Sequence, residues 1–433
     1  ISVPTHRFKD DISRRLNEFG VSHNKIPNLP NIKHDQRVKL ERLYEIGAHK
    51  GANIYLKQLA KESTEVKNYL REVEDYKDAQ GRVLITTHHR LLYEKDFNDI
   101  VVVDEDIILN GMYPCDKVSV GELAMLNAKL VSNPHLKSDS KIIGTLLNEI
   151  IDAPEGVVKK TPNYFSFYSD EVEKMVVHDE NINTNVLGFL NSIYYTKVID
   201  AKKTEYIQYI SKRELPKKKC IILSASINET IAKMALGSDI NFYDIGEVEQ
   251  QGEIIQFTSM SYSKSRIFED YERMLNIAKE LIRIYNPGSQ VITFKGVFDS
   301  ISNDNINFWN AAGRDDLKGR DLTVIGTPHV NEVYYLLLSS ILGYNVQLSG
   351  SSMNYLPVTK GIYKFYFQTY GNNDFLRELQ FYIIESALLQ TIGRARTLRT
   401  NAKVLLLSNY PVPGAELISL SMKELKQLER KSS

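Results

Sequence analysis

The stretch Ile100–Asp106, IVVVDED, decides the fold class: four β-branched residues run straight into three carboxylates. A short β-branched run of this kind fits a strand buried on both faces, as in a parallel sheet. A carboxylate at the carboxyl end of such a strand points into the crevice where α/β proteins take up ligands. Asp104 is placed there to hold Mg²⁺, and Glu105 to orient an attacking water for phosphoryl transfer. Taken alone, the cluster reads also as an acidic turn between strand and loop.

Two similar runs flank it, Arg82–Thr86 (RVLIT) and Lys219–Leu223 (KCIIL). Ahead of them, Ser2–Leu16 reads as a strand end, a turn at Pro4-Thr5 and a helix. A polar, Lys- and Glu-rich stretch follows to about Gln80, with Tyr55, Leu56, Leu59 and Ala60 at helical spacing. The 120 residues from Asp104 to Ser224 differ in character. They hold helical pieces at Val120–Leu130 and Ile142–Ile151, then aromatic, strand-like pieces at Tyr164–Tyr168 and Ile193–Ile199. Residues 113–215 are read as an inserted mixed α/β subdomain; a longer single domain is the alternative.

A second alternating region opens near residue 245. Its strand candidates are Ile254–Thr258, Gln290–Phe294, Leu322–Gly326, Lys364–Gln368 and Lys403–Leu407, with helices at Arg266–Tyr285 and Leu376–Ile392. Alternation at this spacing predicts βαβ units and a parallel sheet. The fold class is α/β: one parallel-sheet domain from 1–112 and 216–243, carrying the 113–215 insertion, and a second from 244–433. The tail Met422–Ser433 reads as a charged helix.

A chain of 433 residues exceeds one ordinary core, which fits two or three domains. Its 42% hydrophobic and 25% charged residues are those of a soluble globular protein. No apolar run nears the roughly 18–20 residues of a membrane span, and no signal peptide opens the chain. Two cysteines, Cys115 and Cys220, exclude a disulfide scaffold, an all-thiolate zinc site and a four-cysteine iron–sulfur cluster. A reducing cytoplasm, or association with a nucleoid, is expected. Lys+Arg and Asp+Glu are both 54, so nucleic-acid binding must rest on local basic surface.

Two further constellations carry chemistry. Gln390-Thr391-Ile392-Gly393-Arg394-Ala395-Arg396-Thr397-Leu398-Arg399 closes an amphipathic helix and precedes a strand. Gly393 lets the backbone approach another surface, and the planar, always-charged fork of Arg394 suits a γ-phosphate. A solvated basic face is the plain alternative. Leu223-Ser224-Ala225-Ser226 follows an apolar strand, where small hydroxyls can bond a nearby carboxylate or backbone. It serves equally as an N-cap for a helix at Glu229–Leu236.

The order of these elements is informative. Pro4-Thr5-His6-Arg7, Thr86-Thr87-His88, Asp104-Glu105-Asp106 and Ser224-Ala225-Ser226 occupy the first half; Val291–Phe294, Gly326-Thr327-Pro328-His329 and Gln390–Arg399 occupy the second. This series resembles that of superfamily 2 helicases from the motif called Ia onward, over nearly the whole chain. The resemblance implies two RecA-like domains facing one ATP. Asp104 would hold Mg²⁺ and Glu105 the hydrolytic water. Arg394 would be the arginine finger, with Gln390, Gly393 and Arg396 at the nucleotide. Ser224 and Ser226 would couple hydrolysis to motion. Thr5, His6, Arg7, Thr87, His88 and Thr327 would line a track for single-stranded or forked nucleic acid, DNA favoured over RNA, held by phosphate rather than base contacts. Protein partners are expected at the 113–215 insertion, and no membrane.

The chain departs from that pattern in three places. It contains no Gly-Lys dipeptide and so no Gly-x-x-x-x-Gly-Lys-Ser/Thr loop; in the family that loop precedes motif Ia, so it is expected before Ile1, the alternative being a chain that cannot bind ATP alone. The family's second arginine position, three after the finger, holds Thr397, leaving Arg396 or Arg399 to substitute. The long gap between the acidic and Ser-Ala-Ser elements resembles the arch-bearing helicases of the xeroderma-pigmentosum-D type, but without that group's cluster-ligating cysteines. A catalytically inactive scaffold, or a motor subunit of a larger complex, is the competing reading. His88 and His89, adjacent on a strand, would point to opposite faces and not share a metal. Lys217–Lys219 and Lys159-Lys160 read as solvated loops. Trp309 and Phe308 could stack on bases, though most aromatics in a chain this size are core.

Overall fold

A computed structural model describes residues 1–78, 83–94, 100–162, 170–246, 248–302, 306–308, 311, 315–344 and 353–431. The strand read at Tyr164–Tyr168, and with it Arg82 and Trp309, lies outside them. The chain forms two compact units: Ile1–Ser224 with Glu332–Leu348, and Ala225–Asn331 with Ser349–Ser433.

In the first unit, β1 (Ser2–Val3) stops at Pro4, and α1 (His6–Glu18) starts under a cap in which the Thr5 hydroxyl accepts from the Phe8 N–H at 3.3 Å. Then come β2 (Asn24–Lys25), α2 (His34–Glu45), α3 (His49–Leu59), α4 (Thr64–Asp78), β3 (Leu84–Thr87), α5 (His88–Leu91) and β4 (Ile100–Asp104). Residues 113–215, expected to be an insertion, supply β5 (Cys115–Ser119), α6 (Val120–Val131), α7 (Lys137–Ile151), β6 (Lys159–Lys160), α8 (Asp170–His178), α9 (Asn185–Leu190), β7 (Tyr194–Ile199) and β8 (Glu205–Ile210), before β9 (Lys219–Leu223). The main sheet runs β2-β3-β1-β4-β9, all parallel, with Val3 beside Thr87 and Asp104 beside Leu223.

The burial expected of these strands needs correction. In β4, Val101 and Val103 are buried while Ile100 is exposed; in the edge strand β9, Ile221 and Leu223 are 41% and 54% exposed. A β-branched run marks the strand but not what covers it.

The insertion sheet, β5-β8-β7-β6, is antiparallel. Helices α2–α4 and the insertion share one core, in which Leu43, Leu56 and Val66 join Leu126, Val177, Phe189 and Ile207. The two segments meet tightly at Gly188, where an added Cβ would fall 2.3 Å from the Tyr209 hydroxyl and 3.0 Å from Ile46 Cβ. Arg42 ties them further, pairing with Asp116 and donating to Asn185 Oδ1 at 2.7 Å.

The second unit contains α10 (Glu229–Leu236), β10 (Glu253–Phe257), α11 (Lys264–Glu269), α12 (Tyr271–Tyr285), β11 (Gln290–Ile292) and β12 (Leu322–Ile325). The helix expected over Arg266–Tyr285 is two helices, because Asp270 leaves helical geometry at φ −141°, ψ 50°. The following α13 (Glu332–Ile341) belongs to the first unit and packs on β7 and β8. The chain continues as β13 (Met353–Lys360), β14 (Tyr363–Tyr370), α14 (Asp374–Ile392), β15 (Lys403–Leu407), β16 (Glu416–Ile418) and α15 (Met422–Lys431). The sheet is β11-β12-β15-β10-β16, all parallel.

Lys364–Gln368 is not one of its strands. It lies in β14, which pairs with β13 as an antiparallel ribbon turned at Gly361 (φ +55°), and β16 takes the fifth place in the sheet. Pro357 in β13 has no N–H to give a sheet interior, which a two-stranded ribbon tolerates. The main sheet is sealed on both faces: Val404 and Leu406 pack with Ile384, Leu388 and Ile392 of α14, and Leu405 and Leu407 with Met274, Ile277 and Leu281 of α12. The expected α/β class with two parallel sheets is therefore what the chain forms. Among the described residues no helix is long and apolar enough to cross a membrane.

Candidate functional site

Parallel pairing carries the first unit's motif residues to one edge of one sheet. Thr5 follows the end of β1, Thr87 and His88 stand at the end of β3, Asp104 and Glu105 at the end of β4, and Ser224 directly after β9. Strands that run the same way put their carboxyl ends side by side, so elements up to 219 residues apart in sequence (Thr5 to Ser224) share an edge. His6 and Arg7 are exposed on the first turn of α1, and Asp104, Glu105 and Ser224 are half-buried.

Glu105 is held at φ 72°, a left-handed conformation unusual for a residue with a side chain, while its N–H donates to Leu223 O at 2.8 Å. Strain of this sort persists where surrounding structure over-determines it, and clusters at functional positions. Asp106, fully buried, accepts from the N–H groups of Ile108 at 2.9 Å and Leu109 at 3.4 Å. Asp106 is thus committed to the turn, and Asp104 and Glu105 stand half-buried at the strand tip. Among the described residues no group of three His, Cys, Asp or Glu side chains could hold a metal ion. Magnesium arriving on a nucleotide needs only one or two carboxylates, and Asp104 is of the right kind at the strand tip.

Thr87 and His88, assigned by resemblance to a nucleic-acid track, are buried at 8% and 1% exposure. His88 and His89 do not continue a strand; they open the single turn α5. Burial pushes the His88 imidazole down to about 4, against contacts with the backbone of Asp104 and Ser2 that favour its charged form. Burial, then the Arg213 charge, lowers His89 to about 4, with Arg213 Nη1 at 3.0 Å from His89 Nδ1. Burial and the same arginine bring His49 to about 3, its ring stacked on Tyr93 at 3.7 Å. These histidines are neutral packing groups at ordinary pH.

In the second unit the motif residues separate. Thr327, at the carboxyl end of β12, is fully buried: its hydroxyl lies 2.9 Å from Ser408 Oγ and 3.3 Å from Asn409 Oδ1. It closes the core there and offers no surface to a strand, contrary to the expectation for it. The Gln390–Arg399 segment lies at the opposite edge. Thr397 O accepts from Gly252 N–H at 2.8 Å just ahead of β10, and Ala395 O from Gly319 N–H at 3.0 Å ahead of β12. Gly252 is required, since a Cβ there would sit 2.3 Å from Ala402 O. Gly393 is exposed with open space beside it, Arg394 is 6% exposed, and Arg396 is left-handed at φ 59°.

Ser226 does not cap the following helix; Asn228 does, its side chain accepting from Ile231 N–H at 3.0 Å. Ser226 Oγ instead lies 2.9 Å from Ser386 Oγ, which accepts from Gln390 Nε2 at 3.5 Å. Ser386 thus links two motifs. The sequence holds one clue to it, a small hydroxyl residue one helical turn before Gln390.

Comparison with protein-family models gives no match, and comparison with curated proteins gives none. Among the solved structures that the chain resembles are two of XPD proteins. One is an apo XPD structure, at 13% identity and TM-score 0.44 over 96% of this chain and 100% of that one. The other is Xpd4 of S. tokodaii, at 12% identity and TM-score 0.43 over 94% and 85%. At such identity the chemistry has to stand on the chain's own residues.

Proposed function

We propose that this protein is an ATP-dependent helicase or translocase acting on single-stranded nucleic acid, DNA before RNA. The observation that carries the reading is the shared sheet edge, where a strained acidic strand tip stands beside the ends of β1, β3 and β9. Asp104 would hold Mg²⁺, which when bound neutralises charge on the transferred phosphoryl group. Glu105 orients the attacking water. Arg394 donates its fork to the phosphate in the transition state, with Gln390 beside it and Gly393 and Arg396 shaping the approach. His6 and Arg7, exposed at the start of α1, meet the phosphate backbone. Ser226, through Ser386, passes the state of the nucleotide to α14, which carries Gln390, and Ser224 takes part from the strand side.

The test is nucleic-acid-stimulated ATP hydrolysis by the full-length protein. Glu105→Gln and Arg394→Ala should each lower it by about 10²-fold or more, and Arg394→Lys should keep the fold without restoring the rate. Normal hydrolysis in both variants would sink the assignment, and a wild-type protein that binds strands without hydrolysing ATP would favour the inactive scaffold.

A further inference from the structure

Building on the helicase reading, we propose that the outward face of the β13–β14 ribbon is a stacking surface for the bases of a single nucleic-acid strand. The ribbon sequence Met353–Tyr370, MNYLPVTKGIYKFYFQTY, has six aromatic residues, two lysines and no Asp or Glu. Its inward side is spent on packing: Phe367 meets Phe381 and Tyr410 edge to face at 5.9 and 5.6 Å. Two aromatics point the other way. Tyr355 and Tyr366 are 59% and 60% exposed, and their rings stack on each other at 5.9 Å and 22°.

They are diagonal neighbours across the ribbon, since Tyr355 pairs with Gln368 and Tyr366 with Pro357. Exposed Lys364 and Thr359 form the next pair toward the turn. Ring faces flanked by an amide, a hydroxyl and a cation, with no carboxylate on the ribbon, suit a polyanion whose every unit carries a π-face.

The ribbon is also fixed to the helix that carries the Gln390–Arg394 motif. Near the turn Lys360 pairs with Glu385 of α14 and donates to the Tyr410 hydroxyl at 2.6 Å. At the far end Gln380 of α14 accepts from Thr369 Oγ1 at 2.6 Å and donates to Gln368 O at 2.9 Å. A base held on the ribbon is thereby held by α14.

The experiment compares fluorescein-labelled oligothymidine with an abasic oligonucleotide of equal length, by anisotropy, on the full-length protein and two double variants. Tyr355→Ala with Tyr366→Ala should weaken oligothymidine binding by about 10-fold to 100-fold and leave abasic binding unchanged; Tyr355→Phe with Tyr366→Phe should bind like the parent. Thermal melting checks that the exposed substitutions keep the fold. Unchanged oligothymidine affinity in the alanine variant, or equal loss on both probes, overturns the stacking surface while ATP hydrolysis still stands. Failure of the unsubstituted protein to bind either probe, with no stimulation of hydrolysis, overturns the helicase reading itself.

Discussion

The two parallel sheets are built from similar β-branched runs and end up in different surroundings. The second is sealed, with α14 on one face and α12 on the other, and β12 buried along its whole length. The first has an edge strand, β9, half-exposed throughout, and its Ile221 and Leu223 face outward. The difference extends to the strand tips. At the sealed sheet's carboxyl edge Thr327 is consumed by Ser408 and Asn409, whereas at the other sheet's tips Asp104, Glu105 and Ser224 keep partial access to solvent. The first sheet's carboxyl edge leaves accessible the kind of group that the second's buries.

The contrast is open to direct attack. Leu406→Ala, at a fully buried site in β15, should cost about 2–5 kcal/mol, read by denaturant unfolding with hydrogen exchange to locate the loss. Thr327→Val should cost about 1–3 kcal/mol in the same unit, because Ser408 and Asn409 lose a buried partner. Ile221→Ala, on half-exposed β9, should cost about 1 kcal/mol or less; a value matching Leu406→Ala would erase the distinction.

Acid gives the most gradual readout. His49, His88 and His89 titrate at about 3, 4 and 4 in the fold, against an ordinary value of 6.5. Between those values the unfolded chain binds more protons, so their contribution is intact above pH 6.5 and lost as pH falls toward 4. The second unit has one such group, His329, also near 4 by burial. Exchange protection should therefore fall first in the first unit, and His49→Phe should flatten its pH dependence.

Strand positions were legible where the run was continuous: Ile100–Val103 and Lys403–Leu407 carry their own pattern. The ribbon was not, because Pro357 interrupts β13 and leaves only Lys364–Gln368 resembling a strand. The common core of α2–α4 and the insertion was invisible for another reason: Leu43 and Phe189 are joined by tertiary packing that no local period records. Residue type and order were enough to put Asp104 and Glu105 at the end of a strand and Arg394 just past the end of a helix. That Thr327 is sealed and that Ser386 stands between Ser226 and Gln390 depended on distances.

Helix α13 has a practical corollary. It is encoded deep in the second half yet belongs with the first unit, so the polypeptide passes from one body to the other after Ser224, back at Glu332 and out again after Leu348. Neither body is one contiguous stretch of chain, and any fragment that spans one whole carries part of the other. Cleaving the gene at any single point would leave one partner short of a wall, and dissecting this protein calls for internal deletion or circular permutation rather than truncation.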